Sequence, residues 1–504
     1  MQEPIAPFHF SNSYAEELPD FYVESDPMAV HEPDLLQFNV SLATELGLGI
    51  EGLPSQDLAQ IFAGQTLLAG SRPLAQAYAG HQFGGFSPQL GDGRGLLLGE
   101  AQDLNGRRRD IALKGSGPTT FSRGGDGKAA VAAVLREYLI GEAMHSLGIP
   151  TTRALAAVAT GELVYRERPL PGAILTRVAA SHIRVGTFQF FAARQRMDQV
   201  RQLADYAIAR HYPQLIKGSS SDKGNDPDCY LLLLQAVCQQ QAALVADWML
   251  VGFIHGVMNT DNMAISGETI DYGPCAYMES FSPEAVFSSI DQQGRYAYKN
   301  QPPIAQWNLT RFAETLLPLI DEEDPERAVP KVEAILNEFM PHYEKLWLAG
   351  AQAKLGLENP SVDVEGDKSL VKDWLNLLET YSVDYTLAWR RLADAANGKP
   401  ESLEALFSSK EVLADWLTRW HQRIAAQPAS GTATKMRSVS PIYIPRNHLV
   451  EEALDAASDD ANLQPFEQLL GVLTNPFEER AEFARYAQPA PAEFMADYAT
   501  FCGT

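Results

Sequence analysis

The chain has 504 residues, of which 45% are apolar and 21% are charged, a composition typical of globular proteins. Its 40 basic and 64 acidic residues give a net charge of −24. This charge disfavours a protein that binds nucleic-acid polymers, which require a basic face, and one that docks on an anionic membrane. It leaves room for a small phosphorylated ligand held by a few basic side chains.

The sequence also bears on the cellular compartment. The N-terminal residues have neither the basic nor the apolar region of a signal peptide. Polar residues such as Asp247 interrupt the most apolar long stretch, Tyr230–Val257, so we expect a buried helix and no membrane span. The four cysteines form no CxxC pair. These features predict a reduced, cytoplasmic protein.

Residues 1–187 predict a lobe that mixes strands with helices. Apolar runs bounded by glycine-rich segments indicate strands. The predicted strands are Leu96–Glu100, Asp110–Lys114 and two arms of a hairpin, Leu163–Arg166 and Ala173–Val178. Lys128–Leu147 has apolar residues at helical spacing, which predicts a helix behind these strands.

Residues 188–504 predict a larger helical lobe. The segments with helical periodicity are Met197–His211, Tyr230–His255, Ile304–Leu319, Glu323–Gly350, Leu370–Ala396 and Ser402–Ala426. Two polar segments, Gly218–Asp228 and Ala429–Val439, are expected to be loops. The predicted fold class is therefore α+β, with a β-containing N-lobe (1–187) and an α-helical C-lobe (188–504).

Lys114 ends an apolar strand, where its ammonium group can reach a phosphate. Glu137 follows 23 residues later on the predicted helix and could hold the lysine extended by an ion pair. Either residue alone is more commonly a solvated surface group, so it is the pair that points to a site.

Two glycine-rich segments could bring backbone amides close to phosphate oxygens. The first contains Gly91, Gly93 and Arg94, and the second contains Asp126 and Gly127. Taken alone, the first segment favours an ordinary hairpin turn, since it matches neither a Walker A motif nor a dinucleotide-binding fingerprint.

Arg177 and Arg184 lie near the junction of the predicted lobes. The planar donor fork of each could bind phosphate oxygens. Each residue taken singly is more commonly a surface arginine in a partial ion pair.

The sharpest local signal is the segment from His255 to Asn262, followed by Asp271-Tyr272-Gly273. Its spacing is that of a kinase catalytic loop and metal-binding Asp-Phe-Gly motif, with Asn262 and Asp271 at the metal-ligand positions. An amide and a carboxylate oxygen suit Mg²⁺ or Mn²⁺. Position 257, where a kinase has its aspartate base, is valine. The order of all these features predicts a protein-kinase-like bilobal fold.

The sequence resembles the selenoprotein O (YdiU) family of protein adenylyltransferases, which are kinase-fold pseudokinases. The motifs that carry this resemblance span nearly the whole chain. They are Tyr78–Gly84, Gln89–Arg94, Leu113–Gly117, Phe121–Gly127, Leu135–Tyr138, His255–Asn262, Asp271–Pro274, Asp291–Tyr296, Asn300–Pro302 and Ile444–His448.

The resemblance implies transfer of AMP from ATP to Ser, Thr or Tyr hydroxyls of other proteins, with UTP as a further candidate donor. It implies that ATP binds flipped relative to kinases, so that the α-phosphate faces the acceptor. Asp261 is then the proton acceptor, and Asn262 and Asp271 are the metal ligands. The implied nucleotide-binding residues are Gly91, Gly93, Arg94, Lys114 with Glu137, Asp126, Gly127, Arg177, Arg184 and Asp271.

Two alternatives stay open at this stage. One is a true protein or small-molecule kinase, which Val257 disfavours. The other is a scaffold that binds ATP without turnover, which the complete set of metal-site residues disfavours. Cys502 stands third from the C-terminus, where some members of the family carry selenocysteine, and we hypothesise a regulatory disulfide between Cys502 and Cys275.

Overall fold

The structure is a computed structural model that describes residues 10–216, 227–357, 363–425 and 431–501. Strands are concentrated in the first 180 residues. They are β1 (Tyr22–Glu24), β2 (Asp34–Phe38), β3 (Leu74–Gln76), β4 (Gly80–Gln82), β5 (Gly85–Ser87), β6 (Gly95–Gln102), β7 (Arg108–Lys114), β8 (Ala129–Ala130), β9 (Arg153–Tyr165), β10 (Pro169–Ala179), β11 (Phe253–Ile254) and β12 (Ala276–Tyr277).

Helices dominate the chain after residue 180. Those of the first 216 residues are α1 (Ser13–Glu17), α2 (Val40–Glu45), α3 (Ser55–Phe62), α4 (Val131–Ser146), α5 (Val185–Ala192) and α6 (Met197–His211). The later ones are α7 (Pro227–Val251), α8 (Gln301–Ile320), α9 (Val329–Asn337), α10 (Phe339–Lys354), α11 (Val364–Thr380), α12 (Tyr385–Ala396), α13 (Glu401–Glu404), α14 (Glu411–Ala425), α15 (Thr432–Val439), α16 (Asn447–Asp459), α17 (Gln464–Leu473), α18 (Ala484–Ala487) and α19 (Ala492–Ala496).

An eight-stranded antiparallel sheet lies in the first half of the described chain. Its strand order is β1-β3-β6-β7-β10-β9-β2, with β8 beside β10, and its strand pairs are antiparallel. β7 lies in the middle, where Lys114 is opposite Gly95 of β6 and Leu175 of β10. The sheet therefore fixes the backbone of Lys114 from both sides.

Each face of the sheet is covered by apolar side chains. On one face, Leu113 and Val158 pack with Leu42 of α2 and Phe62 of α3. On the other face, α4 joins a continuous core that extends through the helices of the second half. The buried helix α4 is thus held between the sheet and the helical region, which is where Glu137 lies.

Most predicted elements are confirmed, and the α+β class is observed. α6 has the predicted bounds, and α7 is a core helix whose residues Leu233, Leu234 and Val245 are fully buried. Among the described residues, Asp228–Val251 is the one helix long and apolar enough to cross a membrane, and 56% of the apolar window is buried inside the protein. A core helix of this kind meets the same criteria of length and composition.

Several local predictions are wrong. Leu370–Ala396 is not one helix, because residues 381–384 separate α11 from α12, and Glu323–Gly350 and Ser402–Ala426 are likewise divided. Ala429–Val439 is not all loop, because α15 begins at Thr432 and buries Ala433 and Met436. The predicted hairpin has the wrong register. The turn was expected around Pro169–Gly172, but the chain reverses earlier, between Arg166 and Arg168. Ala173 consequently pairs with Ala159 and not with the 163–166 arm. Of the predicted loop Gly218–Asp228, residues 218–226 lie outside the described part of the chain.

Candidate active site

A cleft of about 610 Å³ lies beside the sheet and brings the predicted site residues together. Those that line it are Gly91, Gly93, Arg94, Lys114, Asp126, Gly127, Arg177, Arg184, Asp261, Asn262 and Asp271. Glu137 lies behind the cleft wall, where it contacts Lys114. Residues up to 180 positions apart in the sequence therefore share one cavity.

Lys114 is held between two carboxylates. Its Nζ donates to Glu137 Oε2 on α4 and, at 2.7 Å, to Asp271 Oδ1. Glu137 Oε1 also accepts a bond of 3.1 Å from Arg177 Nη1 of β10. The strand lysine, the helix glutamate and the aspartate of Asp-Tyr-Gly thus form one network of ion pairs at the cleft.

The cations of this network keep both carboxylates ionised. Burial alone would raise the pKa of Asp271, but Lys114 and Arg94 hold it well below its usual value. At Glu137, burial again favours a higher pKa, but Lys114 and Arg177 lower the pKa of the carboxyl below its usual value. Asp271 therefore presents a permanently charged oxygen to the cleft at neutral pH.

The two glycine-rich segments pack against each other in the cleft wall. Gly91 has a φ of +79°, and a Cβ there would lie 2.3 Å from the ring of Phe121. Gly127 has a φ of +65°, and its Cβ would lie 2.1 Å from the carbonyl oxygen of Gly117. Thr119 Oγ1 also donates to the carbonyl of Asp92 at 2.6 Å. Glycine is needed at these two positions because a side chain would collide with the Phe121 ring or with the Gly117 backbone, and because both residues have a positive φ.

Asp126 lies at the outer end of this wall in an ion pair. Arg166 Nη1 donates to Asp126 Oδ2 at 2.8 Å, and the backbone N–H of Lys128 donates to Asp126 Oδ1 at 3.0 Å. The Arg166 bond lowers the pKa of Asp126. The Asp126 carboxylate is thus held by one cation, Arg166, and by one backbone N–H group.

Arg184 connects the glycine segment with the catalytic loop. Its guanidinium lies 4.3 Å from the centre of the Tyr78 ring and 3.6 Å from Asp92 Oδ1. Nη1 donates to the backbone carbonyl of Asp261 at 3.2 Å, while the buried Nε has no hydrogen-bond partner. Burial disfavours the charged form, yet the surrounding acidic groups raise the pKa of Arg184, so it stays charged.

The catalytic loop runs from His255 to Asn262. His255 is buried and its Nε2 lies 3.0 Å from the carbonyl oxygen of Ile270, which ties the loop to the segment before Asp271. Asn262 Nδ2 donates to the carbonyl of Val257 at 3.1 Å. This bond directs the amide nitrogen to the loop and leaves the amide oxygen for a ligand.

Asp261 presents a carboxylate oxygen without a partner. It is 7% exposed, and Gln82 Nε2 donates to its Oδ2 at 3.3 Å. The other oxygen, Oδ1, is buried and accepts no hydrogen bond. Burial raises the pKa of Asp261 to about 6. A buried oxygen with free lone pairs beside a cleft can accept a proton from a bound hydroxyl.

The donor set fits a hard divalent cation that is shared with a phosphate ligand. Within residues 10–216, 227–357, 363–425 and 431–501, no cluster of three or more His, Cys, Asp or Glu side chains could hold a metal ion. Asn262 and Asp271 supply two oxygens, and Mg²⁺ typically completes such a set with phosphate oxygens and water. A cation at this place would therefore need phosphate oxygens or water to complete its coordination.

Comparison with known proteins decides the family. The family model of protein adenylyltransferase SelO matches residues 4–474. The chain belongs to the SelO family. The protein nucleotidyltransferase YdiU of Chromobacterium violaceum is 59% identical over 97% of this chain and all of its own length. The YdiU proteins of Cereibacter sphaeroides and Rhizobium johnstonii are 59% and 55% identical, each over 99% of this chain and over 100% and 98% of their own lengths.

Several cleft residues were not singled out from the sequence of this SelO-family chain. Tyr78 and Gln82 belong to a motif that supports the resemblance, but nothing in their spacing assigns them a partner. Asp92 stands between two predicted glycines, and Asn259 and Thr260 stand inside the predicted loop. Only the folded chain shows that Gln82, Asn259 and Thr260 join the loop to the segment around β4. It also shows that Tyr78 and Asp92 lie against Arg184.

Proposed function

We propose that this SelO-family protein transfers AMP from ATP to Ser, Thr or Tyr hydroxyls of target proteins, with UTP as a second candidate donor. The observation that carries the proposal is Asp261 Oδ1, a buried acceptor without a partner beside the Lys114–Asp271 ion pair. The kinase base position is vacant at Val257, but Asp261 supplies a carboxylate four residues later in the same cleft.

In the proposed reaction the acceptor hydroxyl attacks the α-phosphorus of ATP. Its O–H proton passes to Asp261 Oδ1 as the new oxygen–phosphorus bond forms. The bond between the α-phosphorus and the bridging oxygen breaks, and pyrophosphate leaves with that electron pair. The product is a protein phosphodiester of AMP, so atoms and charge balance without a further reactant.

The cations that line the cleft include Arg94, Lys114, Arg177 and Arg184. We propose that they bind the phosphates, assisted by backbone amides of the 91–95 and 124–127 segments and by Asp126 and Gly127. Ion pairs with Glu137 and Asp271 hold Lys114 in place before the nucleotide arrives. Fixed charges of this kind favour a charged transition state because little reorganisation is needed.

Asn262 and Asp271 are the proposed ligands of a Mg²⁺ or Mn²⁺ ion. When bound, the ion supplies charge neutralisation and orientation of the phosphate oxygens. Asp271 has a φ of +70°, and its side chain is held by the bond from Lys114 Nζ. The aspartate is thus oriented by the protein itself.

We also propose that the molecule is a kinase-like bilobal fold with an N-lobe of 1–187 and a C-lobe of 188–504. The order of glycine segment, strand lysine, helix glutamate, catalytic loop and Asp-Tyr-Gly supports this assignment. We further propose a cytoplasmic protein that acts on other proteins and not on nucleic-acid polymers or membranes, as its charge of −24 suggests.

A kinase is the second candidate, favoured by the Lys114–Glu137–Asp271 arrangement. The deciding experiment supplies α-labelled or γ-labelled ATP, with Mg²⁺ or Mn²⁺, together with a cell lysate. AMP transfer labels acceptor proteins from α-labelled ATP alone. Label from γ-labelled ATP alone would identify a kinase, and ATP binding without any label would identify a scaffold.

The disulfide between Cys275 and Cys502 stays a prediction, because Cys502 lies outside the described residues. Cys275 is buried and its Sγ donates to the Tyr272 carbonyl at 3.4 Å. Thr500 Oγ1 donates to the carbonyl of Pro274 at 2.7 Å, two residues before Cys502 in the sequence. Finding four free thiols in oxidised protein would rule the disulfide out.

A further inference from the structure

β4 and β5 form a short hairpin, residues 80–87, that is fastened to the catalytic loop. Its backbone N–H groups donate to two loop side chains, from His81 to Thr260 Oγ1 at 2.7 Å and from Phe83 to Asn259 Oδ1 at 3.1 Å. Between them, Gln82 Nε2 donates to Asp261 Oδ2 at 3.3 Å. Three successive hairpin residues thus bind three successive loop residues, and the hairpin forms the wall of the cleft beside the proposed base.

The first strand of the hairpin approaches Asp261 too closely for any side chain. A Cβ on Gly80 would lie 2.4 Å from Asp261 Oδ1, the oxygen without a partner. Gln82 and Phe83 of the hairpin line the same cleft as Asp261, so the hairpin borders the approach to the proposed base.

Three large apolar side chains at or near the hairpin are exposed to solvent, although the cleft itself is charged. Phe83 is 38% exposed, Phe86 is 42% exposed and Ile290 is 53% exposed. Phe83 and Ile290 also line the cleft. Single exposed apolar residues need no explanation, but a group of them at the entrance of a site indicates a contact surface.

A cation lies next to these residues. The Arg295 guanidinium stacks 4.8 Å from the Trp307 ring and 5.7 Å from the Tyr296 ring, near Gly84 at the hairpin tip. Among the described residues it forms no ion pair, and its Nε is buried without a partner. The nearby Asp291 carboxylate accepts from backbone N–H groups.

The other charges around Arg295 leave its attraction for an anion intact. Arg311 also stacks on Trp307, at 5.2 Å, and is paired with Glu314 at 2.7 Å. Among the described residues, no salt bridge joins Arg295 to a carboxylate, so its charge is available to an anionic ligand. The side chain is held rigid by two rings, so binding a carboxylate costs little side-chain entropy.

We propose that Phe83, Phe86, Ile290 and Arg295, here called the acceptor edge, form the surface on which the target protein docks. The occupant is a polypeptide segment that carries an apolar side chain and a carboxylate close to the modified hydroxyl. The apolar residue packs on the phenylalanines, and the carboxylate pairs with Arg295. This inference rests on the proposed function, because it takes Asp261 as the base that the hydroxyl must reach.

Four matched peptides test the chemistry of the acceptor edge. Each has one central serine, flanked by Asp and Leu, by Lys and Leu, by Asp and Gly, or by Lys and Gly. Binding to the full-length protein is measured by fluorescence anisotropy, and AMP transfer from α-labelled ATP is measured separately. We expect the Asp-Leu peptide to bind at least tenfold more tightly than the Lys-Leu and Asp-Gly peptides. Equal affinities would overturn the proposal.

Charge reversal gives the sharper test. In Arg295→Glu the preference should invert, so that the Lys-Leu peptide binds more tightly than the Asp-Leu peptide. Arg295→Gln keeps the length of the side chain and should abolish the preference, which protects the test if the reversed charge disturbs folding. Arg419→Glu is the matched control, because Arg419 is 50% exposed and pairs with Asp373 between α11 and α14. A preference that survives in both Arg295 variants would refute the acceptor edge.

The measurements separate this inference from the proposed function. Peptide discrimination without AMP transfer would refute adenylyl transfer and keep the docking surface. AMP transfer without discrimination would refute the docking surface alone. If Arg295 variants instead dissociate a dimer seen by light scattering, the edge is an interface between two copies and the proposal is wrong.

Discussion

Two cations in this protein each lie between a glutamate and an aspartate, but their surroundings differ. Lys114 lies between Glu137 and Asp271, and Arg446 lies between Glu279 and Asp384. The Arg446 side chain is 0% exposed and also donates to the carbonyl of Ala487 at 3.0 Å. The Lys114 and Asp271 side chains are 14% and 24% exposed and face a cleft of about 610 Å³.

The difference shows how a functional site can be distinguished from a cluster of ion pairs that only stabilises the fold. The Arg446 cluster uses its bonds to join α12 and α16 with the segment after β12, and no ligand can reach it. The Lys114 cluster retains an exposed carboxylate and is surrounded by further cations. An ion pair alone is weak grounds for function, whereas an ion pair that opens into a cavity with unsatisfied neighbours is a functional candidate.

The largest expected effect comes from Asp271→Asn, which keeps the shape and removes the charge. AMP transfer should fall by about 10³-fold or more, because a metal ligand and a Lys114 partner are weakened together. The melting temperature should change little, since Asp271 faces the cleft. Labelled transfer and thermal unfolding check both statements, and retention of more than a tenth of the activity would contradict the metal assignment.

Asp384→Asn makes the same change in the Arg446 cluster and should act on stability. Asp384 also caps α12 by accepting from the Leu387 N–H at 2.7 Å, a role that asparagine can keep. We expect a loss of about 3 kcal/mol in the free energy of unfolding, because Arg446 loses a buried counter-charge. Urea denaturation measures this. An Asp384→Asn variant that is as stable as the wild type but inactive would contradict the assignment of the Arg446 cluster to stability.

Asp261→Asn tests the oxygen without a partner. AMP transfer should fall by roughly 10²–10³-fold, because the amide cannot accept the hydroxyl proton. The Kd for ATP should stay within about twofold of the wild-type value, since Asp261 is the proposed proton acceptor and does not bind the phosphates in this proposal. Calorimetric titration with ATP and steady-state kinetics separate the two quantities. An equal loss of binding and turnover would assign Asp261 to nucleotide binding instead.

The smallest effect concerns Lys354, a buried cation without a carboxylate partner in the described structure. Its Nζ donates to the Val439 carbonyl at 2.9 Å, and burial lowers its pKa from 10.5 to about 7. Between these values the unfolded chain holds one more proton than the folded protein, so stability should rise with pH from 7 to about 10.5.

Lys354→Met should therefore flatten this rise and stabilise the protein at pH 7 by about 1–3 kcal/mol. Lys345→Met, on the exposed side of the same helix α10, is the control and should leave the pH dependence unchanged. Urea denaturation at several pH values between 7 and 10 provides the comparison. Equal slopes in the Lys354 variant and the wild type would contradict burial as the cause.

Sequence reasoning succeeded where the signal is local. The bounds of α6 follow from its periodicity, and the strand position of Lys114 follows from the apolar run before it. The pairing of Lys114 with Glu137 spans 23 residues within one strand–helix unit, and the structure shows that contact. Asp271 was assigned as a metal ligand, but its bond to Lys114 spans 157 residues and has no local signature.

The misses have the same physical origin. Ala429–Val439 was predicted to be a loop because it carries Ser and Thr, but packing of Ala433 and Met436 on the core stabilises the helix α15 there. Of the hairpin at Gly80–Ser87, only the Tyr78–Gly84 motif was named from the sequence, as part of the family resemblance. Its contact with Asp261 joins residues about 180 positions apart, which no periodicity or spacing encodes.

The most direct test of the central claim is the intact mass of an acceptor protein after incubation with this enzyme, ATP and Mg²⁺ or Mn²⁺. The account predicts a mass increase of one AMP residue, with one pyrophosphate released for each modified hydroxyl, and no increase with Asp261→Asn over the same time. A mass increase of one phosphate group would contradict it.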